Sequence, residues 1–268
     1  DGCAKLLNNF GSEALKAKYL DGLTQTDMSR LTQGGQFMTE KEGGSDVGTL
    51  TTRAVREGEH WRLYGEKWFC SNADAKVVML LARPEGAGAG IRGLGLFLMP
   101  RFLDDGSQNH YRIVRLKDKL GNKSNASSEV EFHRAEGYLL GDEGRGIATI
   151  IDMVTPTRID CALGSAGQMR AALSRAVHHC RHRKTFGAYL IDQPLMTAVL
   201  ADMALDVAAA TALSLRLARA AAKADTDPVE AAYARLLTPA IKYWICKKVW
   251  PTGNLQAMDT SKIKNFDK

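Results

Sequence analysis

Hydrophobic and polar positions divide the chain into three textures. From Asp1 to about Thr32, Leu6, Leu7 and Phe10 and then Ala14, Leu15, Tyr19 and Leu20 recur at three- and four-residue spacings, which predicts helix, with Gly22 as its stop. From about Gln33 to Glu136 the spacing shortens to two. The runs "TLTTRAV", "HWRLYGEKWFCS", "AKVVMLLAR", "RGLGLFLMP", "YRIVRL" and "SSEVEFHRA" are broken by turn clusters such as "PEGAGAG" and "DDGSQN", the pattern of antiparallel strands. After "GDEGRG" helical spacing returns in three segments: Ile147 to about Arg183, Pro194 to about Ala224, and Pro228 to about Val249. Pro194 suits a first helical turn, Thr226 and Asp227 are N-cap candidates, and the alanine-rich "DVAAATALSLRLARAAA" suits close helix packing. The expected fold class is α+β: helices over 1–34, a β-barrel or sandwich over 35–136, and a helical bundle over 137–268.

Composition narrows the function classes. An apolar fraction of 45% and a charged fraction of 25% are those of a globular protein, and no window reaches the roughly 18 consecutive apolar residues of a membrane span. No basic segment followed by an apolar core marks a signal peptide. Cys3, Cys70, Cys161, Cys180 and Cys246 are scattered without a CxxC pair, so a reducing compartment is expected, cytoplasm or mitochondrial matrix. A net charge of +6 admits nucleic acid or an anionic small molecule, but the basic residues form no tract. His178, His179 and His182 lack a carboxylate or thiolate to complete a metal set, and no metal is expected.

The stretch "MTEKEGGSDVG", Met38 to Gly48, poses the functional question. It lacks the spacing of a dinucleotide fingerprint, a P-loop or a calcium loop. On spacing alone it is a hairpin turn, or a turn whose amides and Ser45 hydroxyl face an anion.

Its companions extend the pattern. "MTEKEGGSDVGTLTTRA", "YGEKWFCSNADA", "LKDKLGNKSNASSEVEF" and "HRKTFGAYLIDQPLM", in that order, resemble the acyl-CoA dehydrogenase flavoprotein family, and their wording is similar to its AidB-like branch. The resemblance implies FAD as cofactor, with Met38 and Thr39 at the flavin edge and Gly44 and Ser45 at the pyrophosphate. It implies an aromatic face from Phe69 and a hydroxyl from Ser71. Arg183, Thr185, Phe186 and Gln193 fall in an element that reaches the FAD of a neighbouring subunit, which implies a homotetramer. Ser127 and Arg158 are candidates for the acyl-CoA path. The implied reaction removes the α-proton of an acyl-CoA thioester and passes the β-hydride to the flavin, with an electron-transferring flavoprotein as electron acceptor. The alternative is an AidB-like flavin protein that binds acyl ligands or DNA with little turnover.

The catalytic residue is unassigned. The family's base stands in a C-terminal "[YW]-E-G-[TS]" element, which here reads "VWPTGN" with Pro251 and no glutamate, or else on the long helix, where Thr157 stands. Several dozen residues that separate a "KYWICKK"-like helix from this element elsewhere in the family are not between them here. Either residues are missing at Trp250–Pro251 or the chain has lost its base.

Overall fold

A computed structural model describes residues 1–119 and 121–254, without the side chains of residues 250–254. Its contacts divide the chain into two units, Asp1–Val154 and Thr155–Lys268.

Among the described residues, the first unit carries two N-terminal α-helices, seven strands and the start of a long third helix. α1 (Gly2–Phe10) and α2 (Glu13–Thr24) replace the single helical segment expected, because Ser12 interrupts it and its side chain accepts from the Leu15 amide at 3.3 Å. The strands are β1 (Gly34–Phe37), β2 (Arg53–Glu57), β3 (His60–Cys70), β4 (Val77–Pro84), β5 (Gly95–Pro100), β6 (Tyr111–Leu116) and β7 (Ser128–Leu140). Pairing runs β4-β2-β3-β7-β5 and returns to β4, so five strands close into a barrel; β1 lies on β4 and β6 on β7.

Two pairings depart from the antiparallel expectation. β1 and β2 both run parallel to β4, one along Val77–Leu80 and the other at Arg83–Pro84. A two-residue period fixes which face a side chain takes and carries no strand direction, and barrel closure sets the direction here. β1 itself, "GGQF", escaped the pattern because glycine fills half of it.

β4 and β5 show why their sequences read as unbroken apolar runs. Val78, Leu80, Ala82, Phe97 and Met99 join one core cluster with Trp61, Leu63 and Phe132. The intervening Val77, Met79, Leu81, Leu96 and Leu98 join a second with Leu6, Leu7, Ile150 and Met153. Both faces of these strands are buried, so alternation vanishes.

The second unit holds most of α3 (Gly146–His182), the hairpin β8 (Lys184–Thr185) and β9 (Ala188–Tyr189), α4 (Pro194–Lys223) and α5 (Pro228–Asn254). Leu200, Met203, Val207, Ala210, Ser214, Leu217 and Ala220 form a buried stripe of three- and four-residue steps on α4. Val207, Ala210 and Leu217 pack with Ala162, Ala166 and Met169 of α3 and Ile241 and Ile245 of α5. Of the two cap candidates, Asp227 caps α5, accepting from the amides of Val229 at 2.9 Å and Glu230 at 3.3 Å. Among the described helices α4 alone is long and apolar enough to cross a bilayer by length and mean hydropathy, although it holds no unbroken apolar run of that length. Its packed stripe and the 3.2 Å pair of Asp206 with Lys248 give it a place in the bundle.

Candidate functional site

The Met38–Gly48 stretch leaves β1 and returns at Thr51 and Thr52, and a buried ion pair pins both ends. Glu40 and Lys67 are 2% and 1% exposed, with Lys67 Nζ 2.6 Å from Glu40 Oε1. Glu40 also accepts from the amide and hydroxyl of Thr51 and from those of Thr52, while Lys67 Nζ reaches the Met38 carbonyl at 3.4 Å. One carboxylate therefore ties the start of the loop to its end, and β3 supplies the counter-charge. Burial opposes the Glu40 charge, but the Lys67 ammonium and the threonine donors outweigh it and hold the carboxyl below the usual range. Burial likewise pulls Lys67 below the ordinary lysine range, against the attraction of Glu40.

Two glycines make this closure possible. Gly65 has φ +132°, and a Cβ there would lie 2.9 Å from Thr52 Cα. A Cβ on Gly44 would stand 3.0 Å from the Thr39 hydroxyl.

Within the loop, Glu40 and Gly43 exchange backbone hydrogen bonds of 3.2 Å, which turn the chain so that Gly44, Ser45 and Asp46 are exposed. The amides of Gly44 and Ser45 donate to no partner among the described residues. Asp46 closes the next turn, accepting from the Gly48 amide at 3.1 Å. Arg83 clasps the far side, donating to the carbonyls of Gly48 at 2.8 Å and Gly90 at 3.1 Å. A cleft of about 620 Å³ opens there between Asp46, Thr49 and the glycine-rich segment that ends at Gly90.

The end of β3 lies against this loop. The Trp68 amide donates to the Thr39 carbonyl at 2.8 Å, and Ser71 bridges Gln36. Strict alternation would send Trp68 and Phe69 to opposite faces. The register shift between Lys67 and Cys70 overrides it: Lys117 Nζ lies 3.3 Å from the Trp68 ring centroid and 4.6 Å from that of Phe69. Glu129 fixes Lys117 at 2.7 Å, and Phe69 is left 57% exposed. Ser71 is exposed, with its hydroxyl 3.4 Å from that of Ser127, which is buried.

Met38, Thr39, Gly44, Ser45, Phe69, Ser71 and Ser127 thus converge on one end of the barrel. In the second unit, Arg183, Thr185, Phe186 and Gln193 gather at the β8–β9 hairpin. Gln193 Nε2 donates to the Thr185 carbonyl at 2.9 Å and hydroxyl at 2.8 Å, and the Leu190 amide donates to the Arg183 carbonyl at 2.9 Å. Phe186 and Gly187 form the two-residue turn, with φ of +52° and +81°. Such turns favour asparagine and glycine, and a phenylalanine there is strained. Arg158 is exposed on α3 apart from this group, and Thr157 beside it is half-buried.

Comparison with known proteins gives the family. The acyl-CoA dehydrogenase middle domain matches residues 35–135, and the family's C-terminal domain matches residues 144–250. The chain belongs to the acyl-CoA dehydrogenase family. It is 52% identical to AidB of Escherichia coli over 81% of this chain and 39% of that protein. It is 38% identical to acyl-CoA dehydrogenase family member 11 of Caenorhabditis elegans over 94% of this chain and 43% of that protein. A crystal structure of Caenorhabditis elegans ACDH-11 in complex with C11-CoA superposes with a TM-score of 0.90 at 37% identity, covering 95% of this chain and 45% of that one. The chain spans less than half the length of these relatives.

Acyl-CoA dehydrogenases are FAD flavoproteins, and the residues present fit that group. A pyrophosphate asks for clustered donors, which the Gly44 and Ser45 amides provide; the ring asks for an aromatic face and hydrogen-bonding edges, which Phe69, Thr39 and Ser71 provide. Among the described residues no cluster of histidine, cysteine and carboxylates stands ready for a metal. The sequence reading missed the Glu40–Lys67 pair, although a signal for it exists: Lys67 falls in phase with the inward Trp61 and Leu63 of β3, and a lysine at an inward position requires an anion.

Proposed function

We propose that this chain forms the flavin and acyl-CoA site of an FAD-dependent acyl-CoA dehydrogenase, in which the α-proton of the thioester is removed as the β-hydride leaves. The observation that carries the reading is the pinned Met38–Thr52 loop, with the Gly44 and Ser45 amides without internal partners beside Thr39 and the exposed Phe69. FAD, when bound, supplies the hydride acceptor. The amides of Gly44 and Ser45 would hold its pyrophosphate, Met38 and Thr39 its edge and Phe69 its ring, and Ser71 would offer a hydroxyl. Purified protein reconstituted with FAD should turn yellow and, mixed anaerobically with acyl-CoA, should bleach; retention of full flavin absorbance with every chain length tried would refute dehydrogenation. An electron-transferring flavoprotein is the proposed oxidant of the reduced enzyme.

The hairpin supports a shared site in a homotetramer. Phe186 combines positive φ with complete exposure of its side chain. A strained, fully exposed aromatic at a loop tip is explained by burial against a partner surface, and we assign that surface to the FAD of a second copy. Arg183 and Gln193 beside it suit a phosphate and an amide-bearing ring. Phe186→Gly relieves strain of about 1 kcal/mol and adds a similar chain-entropy cost, so thermal unfolding of the FAD-free protein should barely move. FAD retention on gel filtration should nevertheless fall sharply; unchanged retention would place the hairpin outside the site.

A second reading rests on Thr157. The half-buried position on α3 where some acyl-CoA dehydrogenases carry the base holds a hydroxyl, and Pro251, the other position, has a side chain outside the described residues. This favours a flavin protein of the AidB type that binds acyl ligands, or DNA, with little turnover. DNA binding through phosphate contacts would weaken steeply with added salt. Arg158 is kept as a proposed contact on the acyl-CoA side, and the five free cysteines accord with a reducing compartment, cytoplasm or matrix.

A further inference from the structure

Ser71 has a hydroxyl that can donate or accept, and the side chains behind it fix which it does. Lys119 Nζ lies 3.0 Å from Ser127 Oγ and 2.7 Å from the Asn125 carbonyl. Ser127 Oγ lies in turn 3.4 Å from Ser71 Oγ. A lysine ammonium has three donors and no acceptor, whereas each serine hydroxyl has one proton to give. At the Lys119 contact Ser127 must therefore accept, and its own proton is free to point at Ser71. Ser71 then accepts from Ser127, and its own proton is left for an acceptor outside the protein, since Ser71 is exposed.

Burial makes the polarity firm. Ser127 is 8% exposed, its amide donates to the Asn125 carbonyl at 2.9 Å, and its carbonyl accepts from the Lys117 amide at 2.8 Å. Its backbone is thus held on both sides, and its hydroxyl has Lys119 and Ser71 as partners. Water has little access through which to reverse the order.

We infer that Lys119 and Ser127 are positioning residues that set Ser71 as a hydrogen-bond donor toward an acceptor atom of the flavin. The inference rests on the proposed FAD site and deepens it, because it gives Ser127 a role through Ser71 in place of direct contact with acyl-CoA. A chain of donors oriented by a cation is stronger and more directional than a hydroxyl free to rotate.

A double-mutant cycle on FAD affinity in the full chain tests it, with flavin fluorescence as the readout. Ser127→Ala removes the relay while leaving the Lys119–Asn125 contact in place, and Ser71→Ala removes the donor. Each is expected to raise the FAD dissociation constant about three- to tenfold, the range of a single hydrogen bond. Ser127→Ala combined with Ser71→Ala should raise it no further than Ser71→Ala alone. Lys119→Met should match Ser127→Ala, and Lys119→Arg, which keeps a donor with no acceptor, should restore most of the affinity. Each single variant should also alter the flavin absorption band, which a purely structural loss elsewhere would leave unchanged in the protein that still binds.

The outcomes separate the two claims. If the wild-type chain binds no FAD, the flavin site and the relay both fall. If the wild type binds FAD and the Ser127 and Ser71 effects are additive, or Ser127→Ala binds FAD as the wild type does, the flavin site stands and the relay is overturned.

Discussion

Lys67→Met is expected to destabilise the barrel unit by about 3–5 kcal/mol, the cost of leaving a buried charge without its partner. Urea unfolding at pH 7 measures it, and a loss below about 1 kcal/mol would show that Glu40 is neutral or solvated. Lys67 is wholly buried, and its ammonium is the counter-charge within 2.6 Å of Glu40. Glu40→Met should be no milder, because the amides and hydroxyls of Thr51 and Thr52 would lose their acceptor. The double variant should therefore stay near the single ones instead of recovering. That outcome distinguishes this pair from buried ion pairs that apolar residues replace without loss.

The pH dependence of the same pair has a definite sign. Glu40 has a folded-state pKa below its unfolded value, so its contribution is fully present above about pH 4.5. It is lost as pH falls through the folded value. In Lys67→Met the cation is gone and only the threonine donors oppose burial, so the Glu40 pKa rises relative to the wild type. The gap between wild type and variant should accordingly narrow as the pH is lowered, since protonation removes the uncompensated charge. A gap independent of pH would mean that the loss comes from packing of the lysine stem.

What the sequence made legible follows from what each pattern encodes. α3, α4 and α5 begin and end within a few residues of their predicted bounds, because proline, aspartate and a 3.6-residue period are local signals. β1 and the parallel pairings were hidden because glycine carries no facing information and closure of a barrel is a long-range property. Met38, Thr39, Gly44 and Ser45 were legible as a group through their motif, yet the force that shapes their loop lies in Glu40 and Lys67, 27 residues apart. Alternation alone places Phe69 and Trp68 on opposite faces, and the register shift before Cys70 brings both to Lys117. The donor order through Lys119 and Ser127 required distances that no spacing rule provides.

Thr157→Glu is expected to raise the rate at which acyl-CoA bleaches bound flavin by about 100-fold or more, the usual range for a positioned general base. Thr157 is the α3 position at which the proposed reading places the base, and it is half-buried, so a carboxylate introduced there would be partly desolvated. Arg158 is the adjacent cation, but successive helical residues do not share a face, so it does not quench the new base directly. Stopped-flow absorbance under anaerobic conditions gives the rate, and Thr157→Gln controls for shape without basicity. If Glu and Gln behave alike, proton removal at this position does not limit the reaction, and the base of the proposed reaction stands at another position. If Glu alone accelerates it, basicity at position 157 limits the proposed reaction, and the reading of Thr157 as the place of a lost base is supported.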